Sequence, residues 1–321
     1  MKSALSAIKS VRASKSLGIF ADFYTLKDSL IYASDGRMSC AARCPAVAGL
    51  DCLVPGDEFE RLVARLDGDI AITRGDSSIT LSAGRMRGTI KTRPTSDMAM
   101  VVPEHPWQPP PEGLVPAMRR ARPFVAEVSS QSFRTCLALS QGRIYGIQDN
   151  NVGIIEAACP GLAPPTDLLL PYWAADFVIW AEGTLMGVVL QENYCAFQWD
   201  GLWLRSSLVA GALPASVGTL LARVSDAQPL AITPTWRAAY AAVAGLSDEA
   251  VTIEAGRILG GGGHSEVVHE TDALDLAQPV KFTPRYLTPV IDAATAWNPG
   301  LYPAPVQFVG EGCKGLVMGR R

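Results

Sequence analysis

The sequence predicts an α+β protein built from three copies of one repeat of roughly 100 residues. The first observation is a short apolar strand that turns into a helix near a proline, at residues 53–66, 169–180 and 281–292. The second is a set of short strands before and after each of these helices. The third is a further helix that opens each repeat. A chain of 321 residues is long enough for three such domains.

The central helix of each repeat is predicted from its position near a proline and from one apolar face. Proline suits the first helical turn, where its missing N–H would have no partner. The first copy has an apolar face made of Phe59, Leu62, Val63 and Leu66. The third copy repeats this spacing with Leu287, Val290 and Ile291. Pro289 lies within that copy, which predicts a late start or a kink.

The remaining elements follow in the same order in each repeat. The opening helices are predicted at residues 2–14, 113–122 and 235–244. Strands before the central helices are expected at 18–24, 29–34, 38–42, 133–139, 143–148, 152–157, 250–254 and 258–259. Strands after them are expected at 69–73, 78–82, 86–91, 184–191, 194–199, 203–208, 305–309 and 315–318. Turn dipeptides such as Asp35-Gly36 and Asp200-Gly201 separate neighbouring strands.

The boundaries between the repeats fall in two segments with the composition of linkers. One is the proline-rich stretch at residues 102–111, and the other lies near residues 211–214. The sequence therefore predicts three domains, at residues 1–104, 105–212 and 213–321.

Composition argues against several classes of function. The formal net charge is -3, so the chain as a whole is not a basic nucleic-acid binder. No apolar run approaches the roughly 20 residues of a membrane span, and no secretory signal is evident, so we expect a cytoplasmic protein. The seven cysteines have no paired metal-site spacing, so we expect buried, reduced thiols and no metal.

The sequence contains no convincing enzyme motif. The run Gly260–Gly263 precedes His264, but no Gly-Lys-Ser/Thr follows, so we expect a flexible hairpin loop and not a phosphate site. Asp35 and Asp149 recur at equivalent turns, which favours turn chemistry over paired catalytic carboxylates. We therefore expect no enzyme activity and no cofactor.

Collinear segments of the first two repeats resemble the beta subunit of bacterial DNA polymerase III, the sliding clamp, and its phage-encoded relatives. Residues 30–36 (LIYASDG) are similar to a strand and turn of that family, and residues 52–55 with Phe59 resemble the entry to its second helix. In the second repeat, residues 133–137 (FRTCL) and 144–149 (IYGIQD) resemble two of its strands. Residues 204–214 (LRSSLVAGALP) are similar to its passage into the third domain.

The third repeat resembles the family at Phe282, Tyr286 and Leu287, and the chain ends near a Val-Met pair as clamps do. It departs from the family in its Gly260–Gly263 run and in a tail that lacks the usual proline and terminal leucine. A shortened, divergent form suits a clamp from a phage or mobile element.

The resemblance implies a ring. Each domain would place its helices on an inner face and its antiparallel sheets outside, and two chains would join head to tail to give six domains. Such a homodimer would encircle duplex DNA at the replication fork without sequence preference. It would bind DNA polymerase and clamp-loader subunits through their short linear motifs.

Cations on the predicted inner helices form the expected DNA contact surface. Positive helices that face phosphates give salt-sensitive attraction and still permit sliding. These residues are Lys9, Arg12, Lys15, Arg61, Arg65, Arg119, Arg120, Arg122 and Arg237. The helix at residues 172–181 carries no cation, which argues against a uniformly basic lining.

The resemblance also implies a partner-peptide pocket between the second and third domains. The matching positions are Leu137, Gln148, Asn150, Asn151, Val152, Pro214, Gly218, Thr219, Val317 and Met318. Gly218 and Thr219 replace larger residues of the family, so we expect a changed pocket shape and peptide preference. Leu137 alone fits a core position equally well.

A second class of function uses the same fold without DNA. The chain could be a structural or interaction protein, such as a phage assembly component, with no sliding activity. Salt-dependent retention on circular but not linear DNA separates the two classes.

Overall fold

The computed structural model describes residues 1–12, 22–95, 101–148, 153–222, 229–247, 249–262, 265–271, 276, 278–299 and 302–320. These residues form helices, antiparallel sheets and the loops that connect them. The helices are α1 (Lys2–Ile8), α2 (Gly56–Arg65), α3 (Leu114–Ala121), α4 (Tyr172–Trp180), α5 (Ala215–Ala222), α6 (Pro234–Ala244) and α7 (Pro284–Ala293).

The strands form four antiparallel sheets. In the first half of the chain they are β1 (Phe23–Lys27), β2 (Leu30–Ser34), β3 (Met38–Arg43), β4 (Asp51–Pro55), β5 (Ala71–Arg74), β6 (Ser78–Ala83), β7 (Met86–Lys91), β8 (Cys136–Ser140), β9 (Arg143–Ile147) and β10 (Gly153–Ala158). In the second half they are β11 (Leu168–Pro171), β12 (Gly187–Leu190), β13 (Tyr194–Trp199), β14 (Leu202–Ser207), β15 (Leu230–Ala231), β16 (Val251–Glu254), β17 (Arg257–Gly262), β18 (Ser265–Glu270), β19 (Val280–Phe282), β20 (Ala296–Asn298), β21 (Val306–Gly310) and β22 (Cys313–Val317).

The chain folds into two compact units. Unit 1 comprises residues 1–110 and 180–208, and unit 2 comprises residues 111–179 and 209–321. Strands from neighbouring sequence repeats thus belong to one unit. The division of the sequence into three domains at residues 104 and 212 stays a prediction.

Unit 1 is organised around a seven-stranded sheet with the order β12-β13-β14-β3-β2-β1-β4. Strand β3 of the first repeat pairs with β14 of the second, so that Cys40 lies opposite Leu204. Helix α1 packs against β2 and β3, and α2 packs against β4. The core includes the fully buried side chains of Tyr24, Ile31 and Phe59. A separate three-stranded sheet has the order β5-β6-β7.

Unit 2 contains an eight-stranded sheet with the order β11-β8-β9-β10-β22-β21-β20-β15. Here β10 of the second repeat pairs with β22 of the third. Helix α3 packs over β9 and β10, and α7 packs over β21 and β22. Gly146 faces α3 so closely that a Cβ would lie 2.3 Å from the Ala121 carbonyl oxygen. A four-stranded sheet with the order β18-β17-β16-β19 carries α6 on β17 and β18.

The glycine run of the third repeat is a strand, and the prediction of a flexible loop is wrong for its described residues. Gly260, Gly261 and Gly262 belong to β17 and pair with β18. A Cβ at Gly260 would lie 1.9 Å from Ser247 Oγ, and that hydroxyl accepts a hydrogen bond from Gly261 N at 3.0 Å. The backbone approaches Ser247 too closely for a side chain. Gly263 and His264 lie outside the described residues.

Most other elements differ from the sequence predictions at their ends, whereas α5, β15, β18 and β20 were not predicted. Strands β7 and β13 have the predicted bounds. Helix α1 ends at Ile8, well before the predicted end. Helix α7 begins at Pro284 and contains Pro289, so the late start is wrong. No described helix is both long and apolar enough to span a membrane.

All seven cysteines are buried and free, as the sequence predicts. Burial raises the pKa of the Cys136 thiol to about 11, and it raises the thiol pKa values of Cys40 and Cys195 as well. Only the thiolate attacks an alkylating reagent, and a raised pKa depletes it at neutral pH.

We expect iodoacetamide at pH 8 to leave the native protein unmodified on the timescale of minutes, because each thiol is enclosed in the fold. In denaturant all seven cysteines should react. Mass spectrometry counts the added groups. Rapid labelling of one cysteine in the native protein would contradict this prediction.

Candidate functional site

The first group of predicted DNA contacts is exposed on unit 1. Arg61 and Arg65 lie on α2, and both side chains are exposed. Arg61 Nε donates a hydrogen bond to the Asp57 carbonyl oxygen at 3.1 Å. Lys9 follows α1 and is also exposed. The side chains of these three residues are therefore accessible to an anion in solution.

Arg12, in contrast, is mostly buried and is held by neighbouring side chains. Its side chain is only 9% exposed, and it forms ion pairs with Asp57 at 2.6 Å and Glu60 at 3.1 Å. The guanidinium also lies 5.6 Å from the centre of the Tyr24 ring. A guanidinium held by two carboxylates has little capacity left for phosphate, so we leave Arg12 out of the proposed DNA surface. Lys15 lies outside the described residues.

The arginines of unit 2 differ in their partners. Arg119 on α3 is exposed, and its Nη2 donates to the Ile179 carbonyl oxygen at 3.2 Å. Arg122 forms a two-pronged ion pair with Asp176, at 2.6 and 2.8 Å, and is 16% exposed. Arg237 is half-buried and donates to the Ala294 carbonyl oxygen at 2.8 Å. Arg119 is thus the best placed of the three for an external anion.

Arg120 lines an open cleft between α3 and α7. The cleft has a volume of about 330 Å³ and is lined by Pro116, Arg119, Arg120, Pro123, Pro289, Asp292 and Ala293. Its two guanidiniums outnumber its one carboxylate, so it favours an anion at its mouth.

A second candidate site is an apolar cluster on the opposite face of the eight-stranded sheet, which we call the α5 patch. Val217 and Leu221 of α5 cover this face. The buried strand residues beneath them are Cys136, Ala138, Tyr145, Ile147, Ile154, Leu169 and Leu316. Partly buried apolar side chains pack around the edge, namely Phe133, Val209, Leu213 and Leu220. Apolar surface that stays accessible beside a helix suits an apolar peptide.

Three of the predicted pocket residues point away from the α5 patch. Leu137 lies between Cys136 and Ala138 on β8, and alternate residues of a strand face opposite sides. Leu137 and Val317 are fully buried in the core on the other side of the sheet. Gln148 is 5% exposed, and its Nε2 donates to the Tyr286 carbonyl oxygen of α7 at 3.5 Å. We leave these three residues out of the proposed pocket.

The remaining predicted pocket residues lie at the edge of the α5 patch or outside the described residues. Pro214 immediately precedes α5, and Gly218 and Thr219 are exposed on it. Met318 follows β22 and is 37% exposed. Asn150, Asn151 and Val152 are not among the described residues.

Sequence reasoning missed several apolar side chains of the α5 patch. Tyr145, Leu213 and Leu220 were not among the candidates, although all three pack there. The signal that could have identified them is strand alternation, because Cys136, Ala138 and Tyr145 lie on the face of the sheet that α5 covers.

Clusters of metal-binding side chains are absent from the part of the chain that the structure describes. No cluster of three or more His, Cys, Asp or Glu side chains there could hold a metal ion. The two candidate surfaces described above are the cations on helices, which suit an anion, and one apolar patch, which suits an apolar peptide.

Comparison with known proteins gives matches among solved structures. No protein-family model matches the chain, and no curated protein matches it. DNA polymerase III subunit beta from Pseudomonas aeruginosa aligns with a TM-score of 0.77 and 16% identity, over 100% of this chain and 97% of that chain. A Helicobacter pylori beta clamp bound to a DNA ligase peptide gives 0.78 and 12%, over 100% and 97%.

A third structure, Caulobacter crescentus pol III beta, gives a TM-score of 0.76 and 18% identity, over 100% of this chain and 97% of that chain. Sequence identity this low establishes the fold and not the role of any residue. The chain has the fold of the DNA polymerase III beta subunit, the sliding clamp.

Proposed function

We propose that this protein is a DNA sliding clamp that holds a polymerase on duplex DNA. The observation that carries the proposal is the match to clamp structures over 100% of the chain. A clamp performs no chemistry. It must attract the phosphate backbone without binding tightly at any one position, so that it can slide. Exposed cations on helices, as at Arg61, Arg65 and Arg119, can do this because phosphate contacts carry no sequence information.

Retention on DNA tests the proposal. After loading onto nicked circular DNA, the protein should remain bound. It should slide off once the circle has been linearised. It should also increase the processivity of its polymerase. Equal loss from both DNA forms together with no stimulation would favour the alternative of a clamp-fold interaction protein.

We expect the double variant Arg61→Gln/Arg65→Gln to weaken attraction to duplex DNA. Each lost arginine–phosphate interaction should reduce the slope of log affinity against log salt by about 1, so the double variant should reduce it by about 2. Fluorescence anisotropy with a labelled duplex at several salt concentrations measures this slope. Arg37→Gln is the matched control, because Arg37 is exposed in the turn between β2 and β3. A slope equal to that of the parent chain would contradict an inner-face role for α2.

Two outer strands support the proposed closure of a homodimeric ring. Strand β7 is the last strand of its sheet, carries exposed Arg87 and Lys91, and has no acidic residue. Strand β18 is the outer strand of the four-stranded sheet and carries exposed Glu266 and Glu270. Open strand edges invite pairing with another chain. One edge is basic and the other acidic, which suits a head-to-tail contact between two copies.

The register of such a contact follows from the spacing of the charges. Both pairs of charged residues are four positions apart and share one face of their strand. If β7 of one copy pairs antiparallel with β18 of another, Arg87 lies opposite Glu270 and Lys91 lies opposite Glu266. The same register sets Thr89 opposite Val268, which is 50% exposed.

Partner peptides are proposed to bind at the α5 patch. The support is its partly buried apolar edge, together with Met318. The Helicobacter pylori clamp binds a DNA ligase peptide, which provides a defined probe. Polymerase and clamp-loader subunits would use the same surface through short apolar motifs.

We expect Leu213→Ala to weaken binding of that ligase peptide roughly tenfold, because an apolar anchor at a peptide site contributes about 1–2 kcal/mol. Titration of a labelled peptide measures the affinity. Leu246→Ala is the control, since Leu246 is an exposed leucine that lies outside the α5 patch. Equal affinities for the parent chain and Leu213→Ala would contradict the assignment.

A further inference from the structure

The α5 patch is continuous with a charged cluster on the same face of the eight-stranded sheet. Tyr145 packs in the α5 patch, and Glu156 lies opposite it on β10. Lys314 of β22 lies opposite Glu156 on its other side. Arg143 is two positions from Tyr145 along β9, so its side chain leaves the sheet on the same face. Neighbouring strands are about 4.8 Å apart, so Lys314 lies roughly 10 Å across the sheet from Tyr145.

Two exposed cations share one mostly buried carboxylate in this cluster. Arg143 Nη1 lies 3.4 Å from Glu156 Oε2, and Lys314 Nζ lies 3.7 Å from Glu156 Oε1. The side chains of Arg143 and Lys314 are 55% and 38% exposed, whereas that of Glu156 is only 12% exposed. The charge that this cluster presents to solvent is therefore positive. We call Arg143 and Lys314 the cation pair.

The cation pair can accept a second carboxylate without loss of the fold. Ion pairs with an exposed partner contribute little to stability, because water screens them. Arg143 Nη1 also donates to the Tyr145 hydroxyl oxygen at 3.5 Å, which holds the guanidinium beside the α5 patch. Helix α5 has no charged residue of its own. An acidic group on a ligand of the α5 patch would thus find its cationic partners on the strands.

We propose that the cation pair selects peptides that carry an acidic residue within about three residues of their apolar anchor. This inference rests on the proposed binding of partner peptides at the α5 patch, and it adds the charge that such a peptide must have. An extended peptide advances about 3.3 Å per residue, so three residues cover the distance from Tyr145 to Lys314. Complementary charge beside an apolar site favours an acidic partner and disfavours a basic one.

Extended forms of one peptide test the proposal on the whole chain. The probe is the DNA ligase peptide of the Helicobacter pylori clamp complex, lengthened at either terminus by three Glu, three Gln or three Lys residues. At one terminus, the Glu extension should bind about fivefold more tightly than the Gln extension, and the Lys extension should bind more weakly than both. The difference should shrink as salt is added. Titration of labelled peptides measures each affinity.

Charge removal at the cation pair should abolish this preference. We expect Arg143→Gln/Lys314→Gln to bind the Glu and Gln extensions equally. Arg257→Gln/Lys281→Gln is the matched control, because it removes two exposed cations from the four-stranded sheet and should keep the preference. Arg257 is 54% exposed and paired with Glu254, much as Arg143 is paired with Glu156.

Glu156→Gln should have the opposite effect. Both cations lose the carboxylate that competes with the peptide, so the preference for the Glu extension should increase by a further twofold or more. A purely structural role of Glu156 would not produce this gain. Arg143→Gln/Glu156→Gln/Lys314→Gln leaves no mostly buried carboxylate unpaired, so it tests the loss of preference even where the double variant fails to fold.

Three results would overturn the proposal. The first is equal affinity of the parent chain for the Glu and Gln extensions, and the second is a preference that survives in the triple variant. If the unextended peptide binds and requires Leu213 while the extensions make no difference, the α5 patch stands and the selection by charge fails. Failure of every peptide to bind would overturn both. Retention on circular duplex DNA reports the clamp function separately.

Discussion

The double variant Arg87→Glu/Lys91→Glu is expected to be a monomer at concentrations where we expect the parent chain to form the proposed dimer. In the proposed register, each substitution places two negative charges opposite each other across paired strands. A like-charge pair of this kind costs about 1 kcal/mol. A ring with two identical joints contains four such pairs, so dimerisation should weaken roughly 1,000-fold.

Charge restoration gives this experiment its control. Adding Glu266→Lys and Glu270→Lys to the double variant restores opposite charges at each position, and dimerisation should return. Light scattering distinguishes the 34.2 kDa monomer from a species of twice that mass. A parent chain that is itself monomeric at micromolar concentration would contradict the ring. A dimer that the double variant leaves intact would place the joint on other strands.

The second large effect is expected from Trp297→Ala. Trp297 is fully buried on β20 and packs 5.2 Å from Trp236 and 5.9 Å from Phe282, between ring centres. Removing a large buried aromatic side chain costs about 3–5 kcal/mol, because the cavity refills only in part. We expect the urea midpoint of unit 2, followed by circular dichroism, to fall by roughly 1 M or more.

Two further substitutions identify the cause of that destabilisation. Trp180→Ala removes the same side chain from a position that is 77% exposed, so it should change the free energy of unfolding by less than about 0.5 kcal/mol. Trp297→Phe should restore most of the stability, since the buried indole Nε1 of Trp297 has no hydrogen-bond partner among the described residues. Equal midpoints for Trp297→Ala and Trp180→Ala would contradict this account of the core.

The elements that could be predicted from the sequence were those with local signals. Strand β13 ends at Asp200-Gly201, and its bounds were predicted correctly because this dipeptide marks a tight turn. The strand character of Gly260–Gly262 had no local signal. It depends on the close approach of Ser247, which lies 13 residues earlier than Gly260 and outside β17.

The candidate sites were harder to predict for the same reason. Arg12 and Arg122 look like free cations in the sequence, and their carboxylate partners Asp57 and Asp176 lie far away along the chain. Leu137 differs by one position from the residues that face α5, and a shift of one residue reverses the face of a strand. The absence of cations on α4 was visible in the sequence, but the exposure of Trp180 at its end was not.

The strand pairs β3–β14 and β10–β22 determine where the chain can be cut. A fragment that ends at residue 104 would lose β14 and leave the edge of β3 open, and a fragment of residues 105–212 would lose both partner strands. Open edges of this kind promote aggregation. One copy of the repeat should therefore be insoluble when produced alone. Exchanging a repeat between related proteins would require the partner strand to be transferred with it.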